Sequence, residues 1–191
     1  MLEVELKFRL TDEAKLVAAM VKMGALETRC VSQSDHYFNH PQRDFSQTDE
    51  AVRVRVTDGC GAITYKGPLV DKVTKTRREI EIDLTGPQAA EKMSECLIAL
   101  GFRSVHTVQK TRRLWSLSRA GRDYEVALDD VVGLGRFVEL ETAATEEELP
   151  AARSAIQQLA EELGLRNGER RGYLTLLLAA VDGGTRERDA P

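Results

Sequence analysis

The sequence predicts an α+β fold in which an antiparallel sheet is bent into a barrel and helices pack on its outside. Three observations predict it. Segments that alternate with a period of two interleave with four stretches of helical periodicity. Asp58-Gly59, Ala120-Gly121 and Gly133-Leu134-Gly135 lie between neighbouring period-two runs, as hairpin connections require, and consecutive hairpins imply an antiparallel sheet. A degenerate echo completes the set. EVELKFRLT, REIEIDLT and FVELETAAT each place a Glu-x-Glu strand before a helix ending at glycine, and a duplicated, pseudo-twofold barrel is the simplest product.

The elements follow in chain order. A strand over 2–10 leads into a helix from about Asp12 to Met23, with Thr11 as N-cap and Gly24 as stop. Strands are expected over 28–38, 51–57, 62–66 and 74–84. The second helix, Pro87 to Leu100, opens with proline and closes on Gly101. Strands over 104–117, 123–131 and 136–142 precede a third helix from about Glu146 to Leu163, whose stripe of Ile156, Leu159 and Leu163 suits the barrel exterior. A fourth helix, near Tyr173 to Val181, carries the run Leu176–Leu178, read as a packing face or a homodimer face. DGGTRERDAP, from residue 182 to 191, reads as a flexible tail. Trp115 and Phe137 are expected in the core.

Bulk properties narrow the function. A chain of 191 residues, 42% hydrophobic and 30% charged, suits one domain, here 1–181. The net charge of -4 conceals 27 basic and 31 acidic residues, so any strong field comes from local sorting. With no exposed basic cluster interleaved with aromatics, nucleic acid is not an expected partner. Nor is a membrane: the opening MLEVELKFRL lacks a signal-peptide core, and Leu174 to Val181 is too short to span a bilayer, which makes the cytoplasm the expected compartment. Cys30, Cys60 and Cys96 form no C-x-x-C pair and read as reduced, half-buried thiols.

The strands sort their charges by face. Successive strand residues point to opposite sides, so Glu3, Glu5, Lys7 and Arg9 share one face and Val4, Leu6, Phe8 and Leu10 the other. Arg53 and Arg55 oppose Val52, Val54 and Val56. Arg77, Glu79, Glu81 and Asp83 oppose Ile80, Ile82 and Leu84, while Lys66 follows Thr64 and Lys110 pairs with Arg112. Glu125 and Asp129 alternate with Val126 and Leu128, as do Glu139 and Glu141 with Val138 and Leu140. A solvated sheet face would carry a mixture of Thr, Ser, Gln and Lys, whereas nearly every strand here bears a doublet of formal charges. If the sheet closes, those charges converge and require ions or ligands to balance them. Carboxylates without accompanying His or Cys suit a hard ion such as Mg²⁺ or Mn²⁺, and Arg and Lys doublets suit phosphate oxygens. A polyphosphate with a bound metal satisfies both. No G-x-x-x-x-G-K-[ST] stretch is present, and neither a nucleophilic triad nor a helix-borne histidine metal pair is visible.

The ordered set of motifs resembles the CYTH superfamily, the triphosphate tunnel enzymes. It comprises E-x-E-x-K at Glu3, Glu5 and Lys7, R-x-R at Arg53 and Arg55, T-Y-K-G-P around Lys66, R-x-E-x-E from Arg77 to Glu81, K-x-R at Lys110 and Arg112, and E-L-E ending at Glu141. The DHYFN segment, the KGP turn and GLGRFVELE most resemble class IV adenylyl cyclases and their CYTH relatives. Arg171-Gly172-Tyr173 stands where that family has Arg-Ser-Tyr, and no His-Phe pair precedes Glu3 as it does in some class IV cyclases. The resemblance implies an eight-stranded antiparallel tunnel. It implies metal held by Glu3, Glu5, Glu139 and Glu141, with Glu79, Glu81 and Asp129 as further candidates. Triphosphate binding is implied for Lys7, Arg53, Arg55, Lys66, Arg77, Lys110 and Arg112.

Three activities suit such a site. The leading one cyclises ATP to cyclic AMP and pyrophosphate. Another hydrolyses thiamine triphosphate, inorganic triphosphate or a nucleotide, with Tyr37 as a base whose phenolate Lys66 stabilises. The last is a non-catalytic sensor of polyphosphate or nucleotide, disfavoured because so many carboxylates weaken anion binding unless metal neutralises them.

Overall fold

A computed structural model describes residues 2–69 and 75–186. Its strands are β1 (Leu2–Arg9), β2 (Leu26–Asn39), β3 (Ala51–Thr57), β4 (Cys60–Lys66), β5 (Lys75–Arg77), β6 (Glu79–Leu84), β7 (Arg103–Arg119), β8 (Arg122–Val131) and β9 (Gly135–Ala144). The helices are α1 (Glu13–Lys22), α2 (Phe45–Thr48), α3 (Ala89–Ala99), α4 (Leu149–Glu162) and α5 (Tyr173–Arg186). All strand pairs are antiparallel, in the order β5-β1-β9-β8-β7-β2-β3-β4-β6.

The two ends of that order are neighbours in sequence. β5 pairs with β1 (Glu3 opposite Arg77) and β6 pairs with β4 (Lys66 opposite Glu79), so one stretch of chain serves both ends and brings the sheet nearly to a closed barrel. The strand expected over 74–84 is split at Arg78, which explains nine strands where eight are expected. Arg78 carbonyl accepts from the Gly67 N–H at 2.9 Å instead of continuing a ladder.

Local chemistry sets the connections. Asp58 and Gly59 both take positive φ (48° and 87°), as do Ala120 and Gly121 (52° and 75°), the conformation of tight two-residue hairpin turns. Asp12, not Thr11, caps α1, its carboxylate accepting from the Lys15 N–H at 3.0 Å. The short α2 carries no periodic signal and is held by its Asp44 cap. Helix α5 runs to Arg186, past the expected end at Val181, and 187–191 lie outside the described residues. Cys30, Cys60 and Cys96 are exposed rather than half-buried. No helix among the described residues is long and apolar enough to cross a membrane.

The core lies between the outer face of the barrel and its helices. Val4, Phe8, Val126, Val138 and Leu140 pack on Leu16 and Met20 of α1 and on Ile156 and Leu159 of α4. Val52, Val54 and Ile63 pack with Leu97 and Met93 of α3, and with Phe38 and Phe45. Trp115 and Phe137 are both buried. A third cluster differs in kind: Val108, Val131 and Phe137 continue the parity of Lys110, Asp129 and Glu139, and they meet Tyr173, Leu176 and Leu177 of α5. At that end, lumen-side positions become apolar and α5 packs on them.

Candidate active site in the barrel lumen

Closure turns the charged faces onto a cavity of about 1010 Å³. It is bordered by every candidate metal-binding, triphosphate-binding and catalytic side chain except Asp129, which is wholly buried in the wall, while Arg9 and Asp83 of the charged faces lie outside its lining. Strand pairing brings the acidic residues together. Glu5 and Glu141 lie directly opposite each other on β1 and β9, and carboxylate oxygens of Glu3, Glu5 and Glu141 all lie within 4.8 Å of one another. Like charges so placed repel. Burial, then the charge of Glu3, raises the Glu141 carboxyl well above its usual range despite Arg112 nearby. Glu3 is also raised, by burial and by Glu79 and Glu5, with Lys66 pulling the other way. Three oxygen donors that resist being charged together fit a hard divalent cation, which would relieve the repulsion.

Arg112 also reaches Glu141 at 3.8 Å, and closer cations or hydroxyls engage Glu79, Glu81, Glu139 and Asp129. Glu79 pairs with Lys66 and lies 3.5 Å from Arg77, Glu81 accepts from the Thr64 hydroxyl at 2.7 Å, and Glu139 pairs with Arg112. Asp129 accepts from Arg112 through both oxygens at 2.7 Å, from Lys110 at 3.0 Å and from the Tyr173 hydroxyl at 2.8 Å. It stands apart from the converging trio.

The basic residues are organised by two buried aspartates. Asp129 holds Lys110 and Arg112. Asp35 holds Arg55 through two hydrogen bonds of 2.6 and 2.7 Å, and Arg53 at 3.3 Å. Burial alone would raise the Asp35 carboxyl, but the charge of Arg53 and the hydrogen bonds and charge of Arg55 hold it well below the usual carboxylate range. Lys110 is lowered to about 8 by burial and by the neighbouring Arg112, with Asp129 and Glu139 offsetting part of the effect. Arg112 keeps its charge, because Glu139 and Asp129 outweigh its burial. A row of fixed cations beside three crowded carboxylates can hold a polyanion and its metal together.

Asp35 and Tyr173 join the site although neither is among the candidate residues expected from the sequence. Asp35 shares the parity of Tyr37 within DHYFN, so alternation was a usable signal for it. Tyr173 has no strand parity and is marked in the sequence only as the end of Arg171-Gly172-Tyr173 and the start of a helix, and it reaches the lumen through tertiary docking. The Tyr37 hydroxyl meets the guanidinium of Arg53, while Lys66 is engaged by Glu79. The phenol and Lys66 thus have different partners.

Comparison with known proteins agrees with this geometry. A protein of Methanocaldococcus jannaschii, named as a candidate adenylate cyclase, is 41% identical over 146 residues, 76% of this chain and 79% of its own. The PH1819 protein of Pyrococcus horikoshii superposes with a TM-score of 0.83 at 38% identity, covering 93% of this chain and 98% of that one. A candidate adenylyl cyclase from Hippeastrum, described as having a dominant triphosphatase activity, superposes with a TM-score of 0.65 over 93% of this chain and 95% of its own. At 15% identity the likeness is one of fold alone. The model of the CYTH domain matches residues 1–173, and with the charged, nearly closed antiparallel barrel this shows that the chain belongs to the CYTH domain family.

Proposed function

We propose that this chain is a divalent-metal-dependent enzyme that takes ATP into its lumen and converts it to cyclic AMP and pyrophosphate. The observation that carries the proposal is the convergence of Glu3, Glu5 and Glu141 within 4.8 Å, beside a wall of buried Arg and Lys side chains. An anion-binding pocket alone gains nothing from three crowded carboxylates, whereas a site for a metal-bound polyanion needs both sets. Mg²⁺ or Mn²⁺ held by these three would polarise phosphate oxygens.

The chain's own residues supply the rest. Arg53, Arg55, Lys110 and Arg112, set by Asp35 and Asp129, fix the phosphates, and Lys7 and Arg77 extend the cationic wall. In the reaction the 3′-oxygen bonds to the α-phosphorus, the bond from that phosphorus to the bridging oxygen breaks, and the hydroxyl proton passes to solvent. Charge grows on the departing pyrophosphate, which the fixed guanidinium groups stabilise without reorganising. Lys66, held by Glu79, adds a further cation at the same wall.

Cyclisation is the activity for which the Methanocaldococcus relative is named as a candidate. Hydrolysis is the second reading, supported by the activity described for the Hippeastrum protein of the same fold, with Tyr37, which borders the lumen, as the candidate base. Incubation of purified protein with ATP and either metal, followed by chromatography, separates them. Equal amounts of cyclic AMP and pyrophosphate are expected. Release of ADP and phosphate alone would overturn cyclisation, and loss of that release in Tyr37→Phe would assign the base.

A further inference from the structure

Tyr173 opens α5, yet its side chain sits among the lumen cations. Its hydroxyl donates to Asp129 Oδ2 at 2.8 Å, and its ring stands edge-on to Phe137 with centroids 5.2 Å apart. Those contacts turn the face of the ring toward two ammonium groups, with Lys7 Nζ 4.2 Å and Lys110 Nζ 5.0 Å from the centroid. The backbone adds a second tie, since Lys7 Nζ donates to the Arg171 carbonyl just ahead of the helix. Burial, with Glu139 and Asp129 close by, keeps the phenol protonated far above its usual range, so it acts as a donor throughout ordinary pH.

An aromatic face and a carboxylate treat a buried ammonium differently. A carboxylate stabilises it by cancelling its charge, which weakens its hold on an incoming phosphate. Lys7 and Lys110 already lie 3.9 Å from Glu139 and 3.0 Å from Asp129, and the ring quadrupole offsets more of their desolvation without a further negative charge to cancel theirs. We propose that Tyr173 is a positioning residue for triphosphate: it seats the first turn of α5 on Asp129 and presents the ammonium groups of Lys7 and Lys110, from β1 and β7, to the same anion. Docking of α5 and placement of the two lysines are then one event. By linkage, triphosphate strengthens the seating of α5 as much as that seating strengthens triphosphate binding.

This inference rests on the lumen being a triphosphate site, and the test separates the two claims. Inorganic triphosphate with Mg²⁺ is titrated by calorimetry into wild type, Tyr173→Phe and Tyr173→Leu, alongside hydrogen exchange of the α5 amides and the melting temperature. Wild type is expected to bind and to gain protection at the start of α5. Tyr173→Phe, which keeps the ring and loses the hydroxyl, is expected to weaken binding roughly threefold and to reduce that gain in protection. Tyr173→Leu, lacking the ring as well, is expected to weaken binding roughly tenfold or more, the scale of one or two cation–π contacts. In turnover the loss appears in KM more than in kcat. Absence of binding by the wild type would remove the triphosphate reading itself. Wild-type binding with equal affinity in both variants, even at a lower melting temperature, would leave Tyr173 a packing residue and overturn the inference.

Discussion

Each pair of lumen cations stands on one buried aspartate, and the two act alike. Asp35 receives Arg53 and Arg55 from β3, and Asp129 receives Lys110 and Arg112 from β7. Removing one partner of such a group leaves buried charge uncompensated, which costs more than the pair itself contributes. Asp35→Ala is therefore expected to lower stability by about 3 kcal/mol, or about 6 to 12 °C in melting temperature for a chain of this size. Added triphosphate should restore part of that loss, because its oxygens replace the missing carboxylate, and a thermal melt with and without ligand measures both effects. An unchanged melting temperature would show that the two guanidinium groups find water instead. The sign with pH follows from the depressed carboxyl. The Asp35 contribution is present above the ordinary carboxylate range and disappears as pH falls through the lowered folded value.

At the scale of elements, the barrel is held by close approaches that a sequence pattern does not display. A Cβ placed on Gly61 of β4 would lie 3.0 Å from the Cβ of Ala90 in α3, so the strand and helix meet where neither has bulk. Gly61→Ala is expected to push α3 outward and cost about 1 to 3 kcal/mol. Replacing Ala90 by Gly in the same protein should recover much of it, and denaturant unfolding of the single and double variants tests the coupling. Most element types were readable, since strand alternation and helix stops are local signals; β1, β3, α1 and α3 fall close to their expected bounds. Less readable was the break at Arg78, because nothing local distinguishes it from the alternation of 79–84. It exists because one stretch of chain must reach β1 on one side and β4 on the other. The extension of α5 to Arg186 was hidden too: its polar, glycine-bearing composition reads as a helix end.

For the molecule as a whole, closure makes a set of strand-face charges into a crowded, largely buried site. Lys110 would be an ordinary lysine on an open sheet; inside the barrel, burial lowers it to about 8. Because that value lies below an unfolded lysine's, the charged form costs stability below about pH 8. The cost disappears as pH rises from there to the unfolded lysine value. Function runs the opposite way, since the neutral amine no longer attracts phosphate. The expected kcat/KM for triphosphate therefore falls as pH rises through about 8, and Lys110→Arg moves that limb out of range because a guanidinium stays protonated. A limb that stays in place in the variant would assign it to another group.

The sequence by itself determined which side chains share a face, because a strand's two-residue repeat is a property of its own backbone. From that alone came the segregation of acids and bases from apolar residues, and with it the expectation of metal and phosphate. Only the tertiary structure decided which charges meet. Glu3, Glu5 and Glu141 converge while Glu79, Glu81 and Glu139 are taken up by neighbours, Asp129 serves the bases, and Tyr173 enters from a helix outside any strand pattern. Those pairings depend on register between strands distant in sequence and on helix docking, and no local periodicity encodes either.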